Sequence, residues 1–282
     1  SDAIGKRVYS STSYHGARRS PDAYSLEPDS SIDADSGEAG LEFISPPMPI
    51  DEMFEDLKAV KKWAEQRGCY TNKSTGLHIN VSVPDYSLDK LDYVKLAVLL
   101  GDKYVLDQFD RIGTQWAKSA LDIVKNRAKD SPETADKLLQ QVRDGVEEIA
   151  SKILHSGRTD KYTSINTKDN YVEFRSAGGD WLGRSYDKIE DTMLRYIVAL
   201  DAACDPNKYK KEYLKGLYKV LKPEQDGSSM SMFARYMSGA ITRSEYVNSL
   251  EKQRKERFKG QGIGILHKDD VEENDWEVTY DD

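Results

Sequence analysis

The chain's strongest constraint is a short β-branched run, Thr75-Gly-Leu-His78-Ile-Asn80-Val-Ser-Val83, in which a histidine and an asparagine stand two residues apart. Side chains on a strand alternate between faces, so His78 and Asn80 project from one side. Two further segments share the pattern: Gly40-Leu-Glu42-Phe-Ile-Ser-Pro-Pro47 upstream, and Tyr162-Thr-Ser-Ile-Asn166 with Tyr171-Val-Glu173-Phe-Arg175 downstream. In each, polar groups stand where a buried face would carry apolar ones. Pooled on one sheet face, Glu42, His78, Asn80, Asn166, Glu173 and Arg175 predict an acidic, metal-capable pocket with one fixed cation, suited to handling phosphates.

The donor types narrow the chemistry. Carboxylates, imidazole and carboxamide oxygen suit Mg²⁺ or Mn²⁺, which leave coordination places for phosphate. Zinc fits less well without a cysteine pair or a second nearby histidine. Arg175, two residues from Glu173, can offer its planar fork to a phosphate oxygen. There is no GxxxxGK[ST], no GxGxxG and no GxSxG in the sequence, so a P-loop, a Rossmann cradle and a serine elbow are all unsupported.

Taken singly, these residues have plainer readings. A lone strand histidine is more often structural than a ligand, Glu42 alone reads as an edge residue facing solvent, and Glu173 and Arg175 can simply pair with each other. Their joint occurrence favours a site. The apolar neighbours Leu41 and Phe43 predict that the opposite face of that strand is covered by helices.

Around these strands the periodicity is helical. Met53, Phe54, Leu57, Val60, Trp63 and Ala64 predict an amphipathic helix over 50–67, with Gly68 ending it. Pro84-Asp85 closes the His/Asn strand, and Ser87 reads as the N-cap of a helix through Leu88, Leu91, Val94 and Val98. Residues 104–155 read as helical, broken at Asp130-Ser-Pro132 and resumed through Ala135, Leu138, Val142, Val146, Ile149 and Ile153. A β-hairpin follows over 159–176, then helical blocks over 185–221 and 242–257. The expected organisation is an irregular arm over 1–23, polar and aperiodic as far as 37, an α+β domain over 24–204, a helical extension over 205–268, and an acidic tail over 269–282 in which Trp276 and Tyr280 could dock.

The length of 282 residues is enough for a full core, and no apolar run approaches the roughly 18–20 residues of a membrane span. A net charge of −8 and a pI near 5.2 disfavour nucleic acid as a partner. Only Cys69 and Cys204 are present, which excludes a disulfide framework and favours a reducing compartment, with Cys69 read as an inert buried thiol. Residues 1–20 contain no apolar stretch of the kind a signal peptide needs, and the absence of an initiating Met reads as a trimmed N-terminus.

The order of these motifs resembles the amidoligase family, part of the carboxylate–amine ligase superfamily that includes glutamine synthetase and glutamate–cysteine ligase. The resemblance rests on Tyr24-Ser-Leu-Glu-Pro-Asp29-Ser-Ser-Ile32, Leu41-Glu42-Phe-Ile-Ser-Pro-Pro47, Asn72-Lys-Ser-Thr-Gly76-Leu-His78-Ile-Asn80, and Tyr162-Thr-Ser-Ile-Asn166 with Val172-Glu173-Phe-Arg175, and spans roughly 24–200. It implies a glutamine-synthetase-like antiparallel sheet backed by helices, with ATP and Mg²⁺ or Mn²⁺ as cofactors. The implied reaction joins a carboxylate to an amine through an acyl phosphate. By the same resemblance Glu42, His78 and Glu173 face the metal, and Arg175 with His78 acts on the phosphate. Asn80, Asn166 and Arg111 would line the nucleotide and substrate pocket, Asn80 standing where relatives often have a second histidine.

One departure matters: such ligases begin with a strand bearing a Glu-x-Glu pair, and residues 1–23 contain none. The alternative expectation is therefore a ligase-derived, catalytically incomplete structural or interaction protein, such as a processed component of a phage or other large assembly; a homo-oligomer or larger assembly could supply the strand. A third reading is a nucleotide-binding module without chemistry. The expected partners are small-molecule or peptide substrates, with no membrane and no nucleic acid, and the expected location is the cytoplasm, or a virion under the alternative.

Overall fold

The computed structural model describes residues 1–83, 88–130, 162–221 and 241–259, within which the chain is α+β. Strand β1 (Val8–Ser10) runs parallel to β2 (Tyr24–Pro28), which pairs antiparallel with β3 (Leu41–Ile44). The arm expected to be irregular thus contributes strand β1, and the aperiodic stretch that follows it contributes β2. Val8-Tyr9 and Tyr24-Ser-Leu are strand formers, and backbone pairing overrides the polar composition around them.

In this first sheet Leu26 lies opposite Phe43 and Glu27 opposite Glu42, so one face carries Leu26, Leu41 and Phe43 and the other Ser25, Glu27 and Glu42. Helix α1 (Ile50–Gln66) occupies the predicted span, with Asp51 and Glu52 in its first turn. It engages the sheet through polar contacts: Tyr24 donates to Asp56 at 2.6 Å, and Lys6 pairs with Asp56 at 2.6 Å and Glu52 at 2.5 Å. Leu41 and Phe43 nonetheless remain 50 % and 41 % exposed, where helical cover was expected, although Tyr24 on the same face stacks on Phe43 at 4.7 Å. After α1, Gly68 adopts φ +71° and turns the chain outward, so Cys69 is exposed instead of buried.

Strand β4 (Ile79–Val81) is followed by a 3₁₀ turn, Leu88–Lys90, and helix α2 (Tyr93–Leu100). The cap of α2 is Asp92, whose carboxylate accepts the Lys95 amide at 2.8 Å; Ser87, the predicted cap, lies outside the described residues. Helix α3 (Lys103–Gln108) and helix α4 (Ala120–Asp130) are separated by a loop, where continuous helix was expected. The break arises at Asp110 (φ +54°) and Gly113 (φ +80°), left-handed positions that a helix cannot accommodate. The expected helix through 135–153 and the tail with Trp276 and Tyr280 lie outside the described residues.

Strands β5 (Ile165–Thr167) and β6 (Val172–Phe174) form the predicted hairpin, its four-residue turn closed by the Lys168 amide donating to the Tyr171 carbonyl at 2.9 Å. With β4 they make a second sheet in the antiparallel order β4-β6-β5. The single pooled sheet of the sequence reading is therefore two three-stranded sheets. Helices α5 (Ile189–Cys204), α6 (Lys210–Leu221) and α7 (Arg243–Lys259) complete the described chain. Helix α7 starts in a capping box: the Thr242 amide donates to the Glu245 carboxylate at 2.7 Å, and the Glu245 amide to the Thr242 hydroxyl at 3.2 Å. No described helix is long and apolar enough to cross a membrane.

The core lies beneath the second sheet. Ile79, Ile165, Val172 and Phe174 fill its lower face against α2 and α5, Phe174 stacks on Tyr196 at 4.1 Å, and Tyr93 donates to the Ile165 carbonyl at 3.0 Å. Tyr213, Leu217 and Val220 of α6 join the same core, so residues 205–221 pack on it directly.

A wholly buried carboxylate, Asp102, ties the helices to β5 by accepting from Ser119 Oγ at 2.9 Å, from the Ala120 amide at 2.6 Å and from Ser164 Oγ. It acts as a remote N-cap for α4. Replacing it (Asp102→Ala) removes the acceptor of the Ser119 and Ser164 hydroxyls in the interior and leaves the Ala120 amide only Ser164 Oγ, and chemical denaturation should show a loss of roughly 2 kcal/mol or more.

Candidate active site

The upper face of the second sheet centres on Glu173. Register places Asn80 and Asn166 directly across from it on either side, so three polar side chains form one row over three strands. Asn166 Nδ2 donates to Glu173 Oε2 at 2.9 Å, Arg175 Nη1 reaches Oε1 at 3.1 Å, Lys168 Nζ lies 3.6 Å from Oε2 and His78 Nδ1 3.6 Å from Oε1. Glu173 and Arg175 side chains are mostly enclosed, at 13 % and 17 % exposure. His78 precedes β4, with 34 % of its side chain open to solvent.

Positive charge exceeds negative here. Arg111 is buried, and its Nη1 donates to the carbonyls of Thr75 (3.1 Å) and Ala177 (2.8 Å), joining the segment before β4 to the one after β6. It has no carboxylate partner among the described residues. The Nε atoms of both Arg111 and Arg175 are buried without a hydrogen-bond partner. Burial and the neighbouring Arg175 push the Arg111 pKa down to about 10, so it stays charged at neutral pH. Desolvation, then Arg175, pushes His78 down to about 4, with Glu173 pulling the other way. The imidazole is therefore neutral near pH 7, free to ligate a metal or donate a hydrogen bond. Such a face, with one carboxylate among cations and unpaired N–H groups, can receive an anion of phosphate type.

Glu42 sits apart, on the first sheet. It faces Glu27, which is fully enclosed by its immediate neighbours, and His15 lies close enough that one ligating atom from each of the three falls within 4.8 Å of the others. Glu27 accepts from Arg19 at 2.6 Å, from the Ala17 amide at 3.2 Å, and from His15 Nδ1 across 3.2 Å. Burial alone would raise the Glu27 pKa, but the Ala17 amide, His15 and Arg19 together hold it below the ordinary value. Desolvation raises Glu42, with further repulsion from Asp29 and Glu27. Asp29 acts electrostatically on both Glu42 and His78, so the two sheets share one field. Their loops are tied as well: Asn72 Nδ2 donates to the Asp33 carbonyl at 2.7 Å, and the Asp33 amide to Ser74 Oγ at 2.9 Å.

Residues 3–180 match the model of the family described as "Putative amidoligase enzyme". The chain belongs to that family. Both polar sheet faces of the chain lie inside the matched span, whereas α5, α6 and α7 lie beyond it. Neither a curated protein nor a solved structure matches the chain.

The structure brings together His78, Asn80, Asn166, Glu173 and Arg175 as the strand periodicity predicts, sets Arg111 beneath them, and puts Glu42 on the neighbouring sheet. Sequence reasoning missed Lys168, His15, Arg19 and Glu27. The alternation in Tyr24-Ser-Leu-Glu27 carried the signal that singled out Glu42. His15 and Arg19 reach their places through a loop, His15 at φ +55°, and no periodicity marks them.

Two outcomes test this geometry. Gly178, at φ +147°, lies where an added Cβ would come within 1.8 Å of Arg111 Nη1 and 2.6 Å of the Thr75 carbonyl, so Gly178→Ala should cost about 2 kcal/mol or more in denaturant unfolding and loosen the site. An ordinary histidine titrates near pH 6.5. As pH falls from there toward the folded value of about 4, the unfolded chain takes up the His78 proton first, so stability drops through that window. Ring-proton NMR should place the His78 midpoint near 4, and His78→Gln should flatten the acid-side slope; an ordinary midpoint would contradict the arrangement.

Proposed function

We propose that the chain is an ATP-dependent carboxylate–amine ligase, working on a glutamine-synthetase-like frame and forming an amide or peptide-like bond. One observation carries this reading: in a member of an amidoligase family, the Glu173 carboxylate is ringed by His78, Asn166, Lys168 and Arg175, with two buried guanidinium Nε atoms left unpaired. In the proposed reaction an oxygen of the substrate carboxylate attacks the terminal phosphorus of ATP and ADP departs. The amine then attacks the resulting acyl phosphate, releasing phosphate and leaving the amide.

The chain's own groups have distinct tasks in this scheme. Arg175 donates to the transferring phosphoryl oxygens, where charge builds in the transition state. Glu173 fixes Arg175 and, with neutral His78, offers ligand atoms to a cation. Asn80 and Asn166 line the pocket on either side, and Arg111 holds the strand ends while adding positive potential from below. Bound Mg²⁺ or Mn²⁺ would offset phosphate charge, and the oxygen-rich donor set suits such an ion. Glu42 serves a cation on the first sheet.

A second reading, a catalytically incomplete structural or interaction protein, is favoured by β1 itself, whose residues Val8-Tyr9-Ser10 offer no carboxylate. Calorimetry with a non-hydrolysable ATP analogue and Mg²⁺ separates the two. Metal-dependent binding should disappear in Glu173→Ala, and Arg175→Ala should lower ADP release by about 10²-fold or more. Folded wild-type chain that binds no nucleotide would favour the incomplete form, and unchanged binding and turnover in both variants would overturn the site assignment.

A further inference from the structure

The first sheet holds a group of side chains that the phosphate-facing site does not use. Cross-strand neighbours lie about 4.5–5.5 Å apart at Cβ, and like charges placed opposite each other are destabilising. Glu27 and Glu42 nonetheless occupy such a pair, with Asp29 nearby on the continuation of β2. Among the described residues the one permanent cation set against these three carboxylates is Arg19, and it is committed to Glu27. Glu42 is half-buried, and among the described residues it accepts no hydrogen bond and joins no ion pair. His15 comes from the loop before β2, and its imidazole meets both carboxylates with ligating atoms within 4.8 Å. Arg19, which pairs with Glu27, also lines a groove of about 360 Å³ with Ser25, Ile44, Pro46 and Pro47.

We propose that His15, Glu27 and Glu42 bind one divalent transition-metal ion, and that Arg19 is the counter-ion this metal displaces from Glu27. The proposal rests on the ligase reading only in taking Glu42 as metal-facing. Its ligands come from β2, β3 and the loop before β2, so this ion draws on no Glu-x-Glu pair. One nitrogen and two carboxylate oxygens leave coordination places open for water or substrate oxygen. An imidazole in the set favours Mn²⁺ over Mg²⁺, which prefers an all-oxygen shell.

The test is electron paramagnetic resonance titration of the full chain with Mn²⁺ and no nucleotide. Wild type should bind at least one ion per chain in competition with excess Mg²⁺. Glu27→Gln, Glu42→Gln and His15→Ala should each weaken binding by about tenfold or more, and Arg19→Ala should tighten it. His15 is exposed, so its variant keeps the test valid should Glu27→Gln fail to fold. Absence of Mn²⁺ binding by folded wild type, binding insensitive to Glu42→Gln and His15→Ala, or weaker binding in Arg19→Ala would each overturn the proposal. The nucleotide titration of Glu173→Ala is scored separately, so Mn²⁺ binding without nucleotide binding would fail the ligase reading alone, and the converse would fail this site alone.

Discussion

The stacking of Phe174 on Tyr196 fixes the parity of the second sheet. Side chains alternate with a period of two, so a slip of one residue would carry Glu173 into the core and Phe174 into solvent. Ile79, Ile165 and Val172 lock the same choice on the neighbouring strands. The polar row of Asn80, Glu173 and Asn166 is thus a by-product of apolar packing on the other face. Precision at the site comes from below it, since the hydrogen bonds on the upper face join side chains that the core has already aimed.

Electrostatically the two sheets are complementary. The second concentrates Arg111, Lys168 and Arg175 around a single carboxylate, while the first sets Glu27, Glu42 and Asp29 against Arg19. Asp29 belongs to both fields, and the hydrogen bonds from Asn72 to the Asp33 carbonyl and from the Asp33 amide to Ser74 hold the loops that bring the sheets together. A chain carrying a net charge of −8 therefore keeps one sheet face cationic by sorting its charges in space.

Strand identity and facing were legible where polar and apolar residues alternate strictly, as in His78-Ile-Asn80 and Val172-Glu-Phe-Arg175. The hairpin turn was legible from its four polar residues. What the pattern could not give was how strands partition into sheets, because periodicity assigns a face to each residue and no neighbour to each strand. The covering of Leu41 and Phe43 failed for the same reason: alternation implies two unlike faces and is silent on whether a helix seals either. Local geometry also overruled composition, at Asp110 and Gly113 within an expected helix and at Gly68 before an expected buried thiol. His15 and Arg19 depend on the path of a loop, and paths of that kind leave no repeat to read.

The loop between α3 and α4 turns Arg111 inward to the carbonyls of Thr75 and Ala177, while it leaves Ile112 and Trp116 at the surface, 63 % and 38 % exposed. One short segment therefore combines a fixed framework residue with an exposed Ile112 and a Trp116 that packs edge-on against Tyr162. In evolutionary terms the two roles are uncoupled at neighbouring positions: substitutions at 112 can remodel the outer surface across generations without altering the frame that carries the chemistry. A change at 111 would be paid for at once at both ends of the site.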